Sequence, residues 1–170
     1  MVGVTGYELV RRPGRRSVAV SGVAGSFLVA AAVAGGPLPT GVAVAGVACL
    51  LAGVRLGRLR VVDGGALVGF AGVVATALQG AGPLAVLFGT VAAVVAWDSG
   101  TNAITLAAQV GRGADTSRVE VLHALYGAGV GVAGGVLGFL LFRAGPTRQP
   151  VTTLFVLLLA AAILVVALNR

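Results

Sequence analysis

The residues of this sequence that could carry chemistry are concentrated between Trp97 and Glu120. Polar side chains recur there at spacings of four, three, four and three residues, which places them on one face of a helix. They are Asp98, Asn102, Thr105, Gln109 and Arg112. One interpretation is a short helix that lies at a membrane surface, with Trp97 at headgroup depth. The alternative is a polar stripe that lines a substrate or ion cavity.

Glu120 and His123 add an ionisable pair three residues apart, hence on one face of a helix. A carboxylate and an imidazole can relay protons or provide two ligands to a metal ion. The structural alternative is that both residues lie in the first turn of a helix, reach the headgroups and pair with Arg118 or Arg112. Because the chain has a single histidine and few carboxylates, we expect no metal site and no cofactor.

Motifs of the common enzyme classes are missing from the sequence, which contains no P-loop, HExxH, CxxC or GxSxG pattern. Gly129, Gly131 and Gly134 have the spacing of a dinucleotide-binding loop, but they stand within an apolar run with no strand before it. Cys49 also lies in an apolar run and has no second cysteine to pair with. We therefore expect a protein that is not an enzyme.

The composition indicates that lipid, not water, surrounds most of the chain. Of the 170 residues 58% are apolar and 10% are charged, whereas about a quarter of a soluble domain is charged. The mean hydropathy is +1.04. Although the net charge is +7, the arginines stand in short clusters between apolar runs, where they act as orientation signals. This pattern excludes a basic nucleic-acid-binding face.

The apolar runs determine the predicted architecture. Residues 17–54 and 64–97 contain no charge, and each run is too long to cross a hydrocarbon core of about 30 Å only once. Glycine and proline interrupt the runs near 35–39 and 79–83, and a third break falls at 145–150. The sequence predicts an all-α polytopic membrane protein with one domain over 1–170, built from six transmembrane helices as three hairpins plus a short interfacial helix. The predicted helices span 17–34, 38–54, 61–78, 83–97, 119–142 and 151–168, and the interfacial segment spans 98–118.

The arginines orient this predicted topology. Ten of the twelve fall before the first helix, in the two loops that would share its side, or at the end of the chain, and only Arg143 and Arg148 fall on the other side. By the positive-inside rule both termini are cytoplasmic and the protein lies in the cell membrane. A rival interpretation is a cleaved export signal, with Arg15-Arg16 before an apolar run and a small-residue site at Ala32-Val33-Ala34. The hairpin is preferred because the first helix has a ready partner in the second.

Small residues predict where the helices touch. Gly65 and Gly69, and Gly127, Gly131 and Gly135, repeat at intervals of four, which lets another backbone approach closely. The partner helix is either internal or in a second copy of the chain, so a homo-oligomer is one outcome. Gly-Pro pairs at all three outer turns could mark an internal repeat, but Gly-Pro is also a common turn.

The segment WDSGTNAITLAAQVGRGADTSRVEVLHA, residues 97–124, resembles a family of uncharacterised haloarchaeal multi-pass membrane proteins. Genes of that family tend to neighbour those of MoxR-type ATPases and transglutaminase-like membrane proteins. The family has no activity to transfer. The resemblance implies an accessory membrane component of an envelope or ATPase-linked assembly.

The leading functional hypothesis is therefore a non-enzymatic accessory or scaffold subunit, embedded in the lipid bilayer, that presents residues 98–120 to a membrane or cytoplasmic protein partner. The runner-up is a small transporter or channel. Its polar path would be formed by Asp98, Asn102, Gln109, Glu120 and His123. A membrane enzyme acting on lipid-linked substrates comes third, because no nucleophile and base can be paired.

Overall fold

A computed structural model describes residues 15–110 and 117–144, which are almost entirely helical and contain no strand. The helices are α1 (Arg15–Ala32), α2 (Pro37–Leu56), α3 (Leu59–Leu78), α4 (Pro83–Val110) and α5 (Ser117–Ala144), and a 3-10 turn over Val33–Gly35 follows α1. The chain divides into two compact units, residues 1–136 and 137–170. All contacts given below lie within the first unit.

The turns after α1 and α3 form where glycine and proline predicted them, and a third turn follows α2. Gly36 has a φ of +95° and precedes Pro37, the first residue of α2, where a missing backbone N–H costs nothing. Gly57 ends α2 in the left-handed conformation, with a φ of 66°. Gly80, in the turn between α3 and α4, has a φ of 79°. These short turns make α1–α2, α2–α3 and α3–α4 antiparallel neighbours.

The tightest packing joins α2 to α3 through glycines. A methyl group on Gly46 would collide with the backbone of Gly69, and one on Gly65 would collide with the backbone of Leu50. A Cβ on Gly72 would lie 2.9 Å from the backbone nitrogen of Ala43. The two helix backbones are therefore in direct contact, which side chains of any size would prevent.

Burial is limited to the inner faces of the bundle. One cluster of buried residues surrounds Leu50, Val54 and Val62, together with Ala96 and Ile104 of α4. A second cluster lies further along the helices and joins Leu28, Ala32, Ala43, Val73 and Ala92. Large apolar side chains also cover the outside, as lipid-facing helices require. All five helices are long and apolar enough to span a membrane, and the predicted all-α membrane class is confirmed.

One element was predicted wrongly. Residues 98–110 do not form a separate interfacial helix, because they continue α4, which is 28 residues long and so about 42 Å. The polar stripe has a helical period whether the helix turns into the membrane plane or runs straight on. Its polarity was therefore no evidence of a change in direction. Residues 111–116 of the predicted interfacial segment and the sixth helix, 151–168, lie outside the described residues.

The described helices otherwise begin and end close to the predicted bounds. The first ends two residues earlier than expected because the 3-10 turn replaces its last residues. At the arginine-rich end, α2 extends to Leu56, α3 begins at Leu59 and α5 begins at Ser117. The arginines Arg55, Arg58 and Arg60 therefore stand at the ends of helices and not in a long loop.

Candidate functional site

The structure brings two ionisable side chains together between α4 and α5. Nε2 of His123 lies 2.7 Å from Oδ2 of Asp98. An ionised carboxylate can only accept a hydrogen bond, so with that form of Asp98 the contact requires a proton on Nε2 of His123. The exposed fractions of the two side chains are 44% for His123 and 45% for Asp98. This is a short, partly exposed hydrogen bond and not a closed site.

Gly127 of α5 lies beside the carboxylate of Asp98. Gly127 stands one turn after His123, and a Cβ there would lie 3.7 Å from Oδ2 of Asp98. Further along the same face, a Cβ on Gly131 would lie 2.9 Å from a Val91 methyl group, and one on Gly135 would lie 3.4 Å from Leu87. The Gly127, Gly131 and Gly135 face of α5 is thus the side that approaches α4.

A second polar pair links α3 to α4. The indole nitrogen of Trp97 donates a hydrogen bond to Oδ1 of Asp63 over 2.8 Å. Trp97 and Asp98 are neighbours on α4, so α4 carries one polar contact to α3 and another to α5 at the same depth. Sequence reasoning missed both contacts. The contact between Asp63 and Trp97 could have been predicted, because both residues lie seventeen residues from Gly80 at the turn between their helices.

Of the other predicted residues, those whose side chains the structure describes make no hydrogen bond to this pair. Asn102 is half-buried, and Thr105 and Gln109 are exposed on the last turns of α4. The hydroxyl of Thr105 donates to the carbonyl oxygen of Thr101 in its own helix, at 3.0 Å. Glu120 lies in the first turn of α5, and its side chain is outside the described part of the structure, as is Arg112.

The side chain of Ser99 points the other way, into the bundle. Ser99 is 6% exposed, and its hydroxyl has no hydrogen-bond partner within the residues that the structure describes. The hydroxyl of the buried Thr76, by contrast, donates to the carbonyl oxygen of Gly72 at 2.8 Å. The buried polar side chains of the described helices, Ser21, Thr76 and Ser99, are all small hydroxyls.

Two grooves open on the surface of the helices, and both are apolar. One, of about 300 Å³, lies between α3 and α4 and has the Asp63 and Trp97 pair at one end. The other, of about 420 Å³, is lined by alanine, valine and phenylalanine side chains of α1, α4 and α5. Across 15–110 and 117–144, no three histidine, cysteine, aspartate or glutamate residues come together in a way that could hold a metal ion.

The Asp98 and His123 pair is therefore the acid–base element of the described chain, and its geometry suits joining two helices or passing a proton between them. Comparison with curated proteins and with solved structures found no match. The sequence profile of a family of unknown function, DUF7519, matches residues 11–165. That match covers most of the chain and includes all five described helices, and the protein therefore belongs to the DUF7519 family.

Proposed function

We propose that the protein is a non-enzymatic accessory subunit of a membrane assembly, and that the end of α4 is its partner-binding surface. The observation that carries this proposal is the register of α4 against α3. Asp63 lies four residues from the start of α3, about 6 Å along the helix axis, whereas Trp97 lies thirteen residues, about 20 Å, from the end of α4. The end of α4 thus projects about 14 Å beyond the first residue of α3.

The projecting segment, Thr105 to Val110, suits contact with a protein. At the far end of the hairpin the two helices are level. Leu78, the last residue of α3, lies fifteen residues from Asp63, and Pro83, the first residue of α4, lies fourteen residues from Trp97. The extra length of α4 is therefore all at the end of the bundle where the α2–α3 turn lies, with Arg55, Arg58 and Arg60. It exposes the amide of Gln109, which can donate and accept hydrogen bonds with a partner. It also exposes the hydroxyl of Thr105, which donates to Thr101 but can still accept a hydrogen bond.

The base of the projecting segment is fixed from two sides. Trp97 ties α4 to Asp63 of α3, and Asp98 ties it to His123 of α5. A helix end that extends from such a fixed base keeps its orientation, which reduces the entropy lost when a partner binds. The proposed role of the two polar pairs is thus to position the segment, with its cytoplasmic location following from the arginine distribution.

A small transporter or channel is the second candidate, and the Asp98 and His123 pair favours it because ionisable residues within membrane helices often mark proton or ion paths. The apolar lining of both described grooves supports the subunit instead. Proton or solute flux in proteoliposomes that is lost on His123→Ala would favour transport.

Site-specific photo-crosslinking in the native host tests the subunit proposal. A photoreactive amino acid at Gln109 should give a discrete protein adduct, whereas the same amino acid at Gln79, exposed at the opposite end of the α3–α4 hairpin, should not. The double variant Thr105→Ala/Gln109→Ala should remove the adduct partner from the purified complex at unchanged expression and thermal stability. Crosslinking to lipid alone at position 109, or a complex indifferent to the double variant, would refute the proposal.

A further inference from the structure

A continuous stripe on α3 faces away from the bundle. Its members recur at intervals of three and four residues, the spacing of a heptad seam. They are Arg60, Asp63, Leu67, Phe70, Val74 and Leu78, all exposed. Leu67 and Leu78 are 71% and 82% exposed. The opposite face of α3, with Gly65, Gly69 and Gly72, is occupied by α2.

The stripe stands beside the groove between α3 and α4. Small side chains of Ala66 and Ala93 lie between the larger Leu67, Phe70 and Val94, and together they line a groove of about 300 Å³. A ridge and a groove therefore run next to each other on one surface. Such a surface permits packing against itself, in which a two-fold rotation places the ridge of one copy against the groove of the other.

The charges on the stripe match the same symmetry. Arg60 and Asp63 are three residues apart on one face, which separates them by about 4.5 Å along the helix axis. In two copies related by a two-fold axis along the membrane normal, both α3 helices are parallel and lie at the same depth. Arg60 of each copy then lies within reach of Asp63 of the other, and the ion pair occurs twice. Oδ1 of Asp63 accepts from Trp97, so Oδ2 is the atom placed to accept from arginine.

We propose that this α3 surface, the stripe with its adjoining groove, binds a second copy of the chain to form a parallel homodimer in the membrane. A lipid would fill the groove but offers no matched cation and anion at two fixed depths. A second copy offers both by symmetry, together with the phenylalanine and leucine side chains that fill the groove. This interface lies on α3 and on the groove residues Ala93 and Val94 of α4, and it leaves the end of α4 free. It shares the Asp63 and Trp97 pair with the proposed function but requires no partner protein.

Disulfide crosslinking in native membranes tests the interface directly. In a full-length chain with Cys49→Ala, Leu67→Cys should give a disulfide-linked dimer on mild oxidation. The matched control is Val44→Cys, which should remain monomeric. Val44 is exposed on α2 and lies thirteen residues from Gly57 at the α2–α3 turn, where Leu67 lies ten. Equal crosslinking at both positions, or none at Leu67→Cys, would overturn the proposal.

Charge reversal distinguishes binding of a second copy at this surface from binding of another molecule, such as a lipid, in the groove. Arg60→Asp and Asp63→Arg should each lower the dimer fraction in mild detergent about tenfold or more, because like charges are then juxtaposed. The double variant Arg60→Asp/Asp63→Arg restores the pairing and should recover the dimer to within about threefold of the starting protein. A double variant no better than either single one, or a monomer that carries bound phospholipid in native mass spectrometry, would contradict the proposal.

Discussion

At the scale of single residues, the contact between His123 and Asp98 is short but not strong. Both side chains are nearly half exposed, so water or lipid headgroups can replace the hydrogen bond when it breaks. Hydrogen bonds between membrane helices contribute about 0.6 kcal/mol on average. The pair therefore orients α5 against α4 and adds little to the free energy of unfolding, and the close approach at Gly131 supplies the rest of that contact.

A double-mutant cycle measures the pair. We expect Asp98→Asn and His123→Ala to show a coupling of about 0.5 kcal/mol, because each change removes the same hydrogen bond. The measurement is unfolding by SDS in mixed micelles. Asp63→Asn combined with His123→Ala is the control, and these two changes should be additive because Asp63 contacts Trp97 instead. An equally large coupling free energy in the control cycle would show that the value measured for Asp98 and His123 does not come from their hydrogen bond.

At the scale of helices, the α2–α3 hairpin depends on backbone contact, which the sequence reports through its glycines. Gly46 lies against Gly69, and Gly65 lies against Leu50. Both pairs are centred on the turn at Gly57. Gly46 and Gly69 lie eleven and twelve residues from it, and Leu50 and Gly65 lie seven and eight residues from it. An antiparallel hairpin with a short turn fixes this register, because each residue along one helix has its partner at the same distance along the other.

Replacement of Gly46 by alanine tests the contact. The added methyl group meets the backbone of Gly69, which cannot move aside as a side chain would. We expect the free energy of unfolding to fall by about 2 kcal/mol or more. Gly41→Ala is the matched control in the same helix, because no atom lies within 4 Å of a Cβ there. It should raise stability by up to about 1 kcal/mol through helix propensity. Similar stability of the two variants in SDS unfolding would rule out the backbone contact.

Hairpins could be predicted from the sequence because their signals are local. Proline and glycine at 35–39 and 79–83 end the helices, and charge-free length requires the chain to cross and return. The continuity of α4 past Trp97 could not be predicted, because no local signal separates a straight helix from one that turns at the membrane surface. The Asp98 and His123 contact was missed for the same reason. A separate helix over 98–110 gives Asp98 no register with α5, which leaves Glu120 of the same helix as the predicted neighbour of His123.

At the scale of the whole molecule, the length of α4 decides how the protein sits in a membrane. A hydrocarbon core of about 30 Å accommodates α3, whose 20 residues measure about 30 Å, but not the 42 Å of α4. Because the two helices are level near Gly80, a membrane that covers α3 leaves the last turns of α4 outside the hydrocarbon. The exposed Thr105 and Gln109 then reach the headgroups or water, where their polar groups are satisfied.

This arrangement predicts the side of the membrane on which each end is found. In a chain with Cys49→Ala, we expect Gln109→Cys and Arg58→Cys to react with a membrane-impermeant maleimide from the same side, and Gln79→Cys from the opposite side. Right-side-out cells and inverted vesicles, labelled in parallel, distinguish the two sides. By the arginine distribution, positions 58 and 109 should label only in inverted vesicles. Since α4 connects the turn beside position 79 to position 109 without a break, labelling of both from one side would mean that this helix does not cross the bilayer.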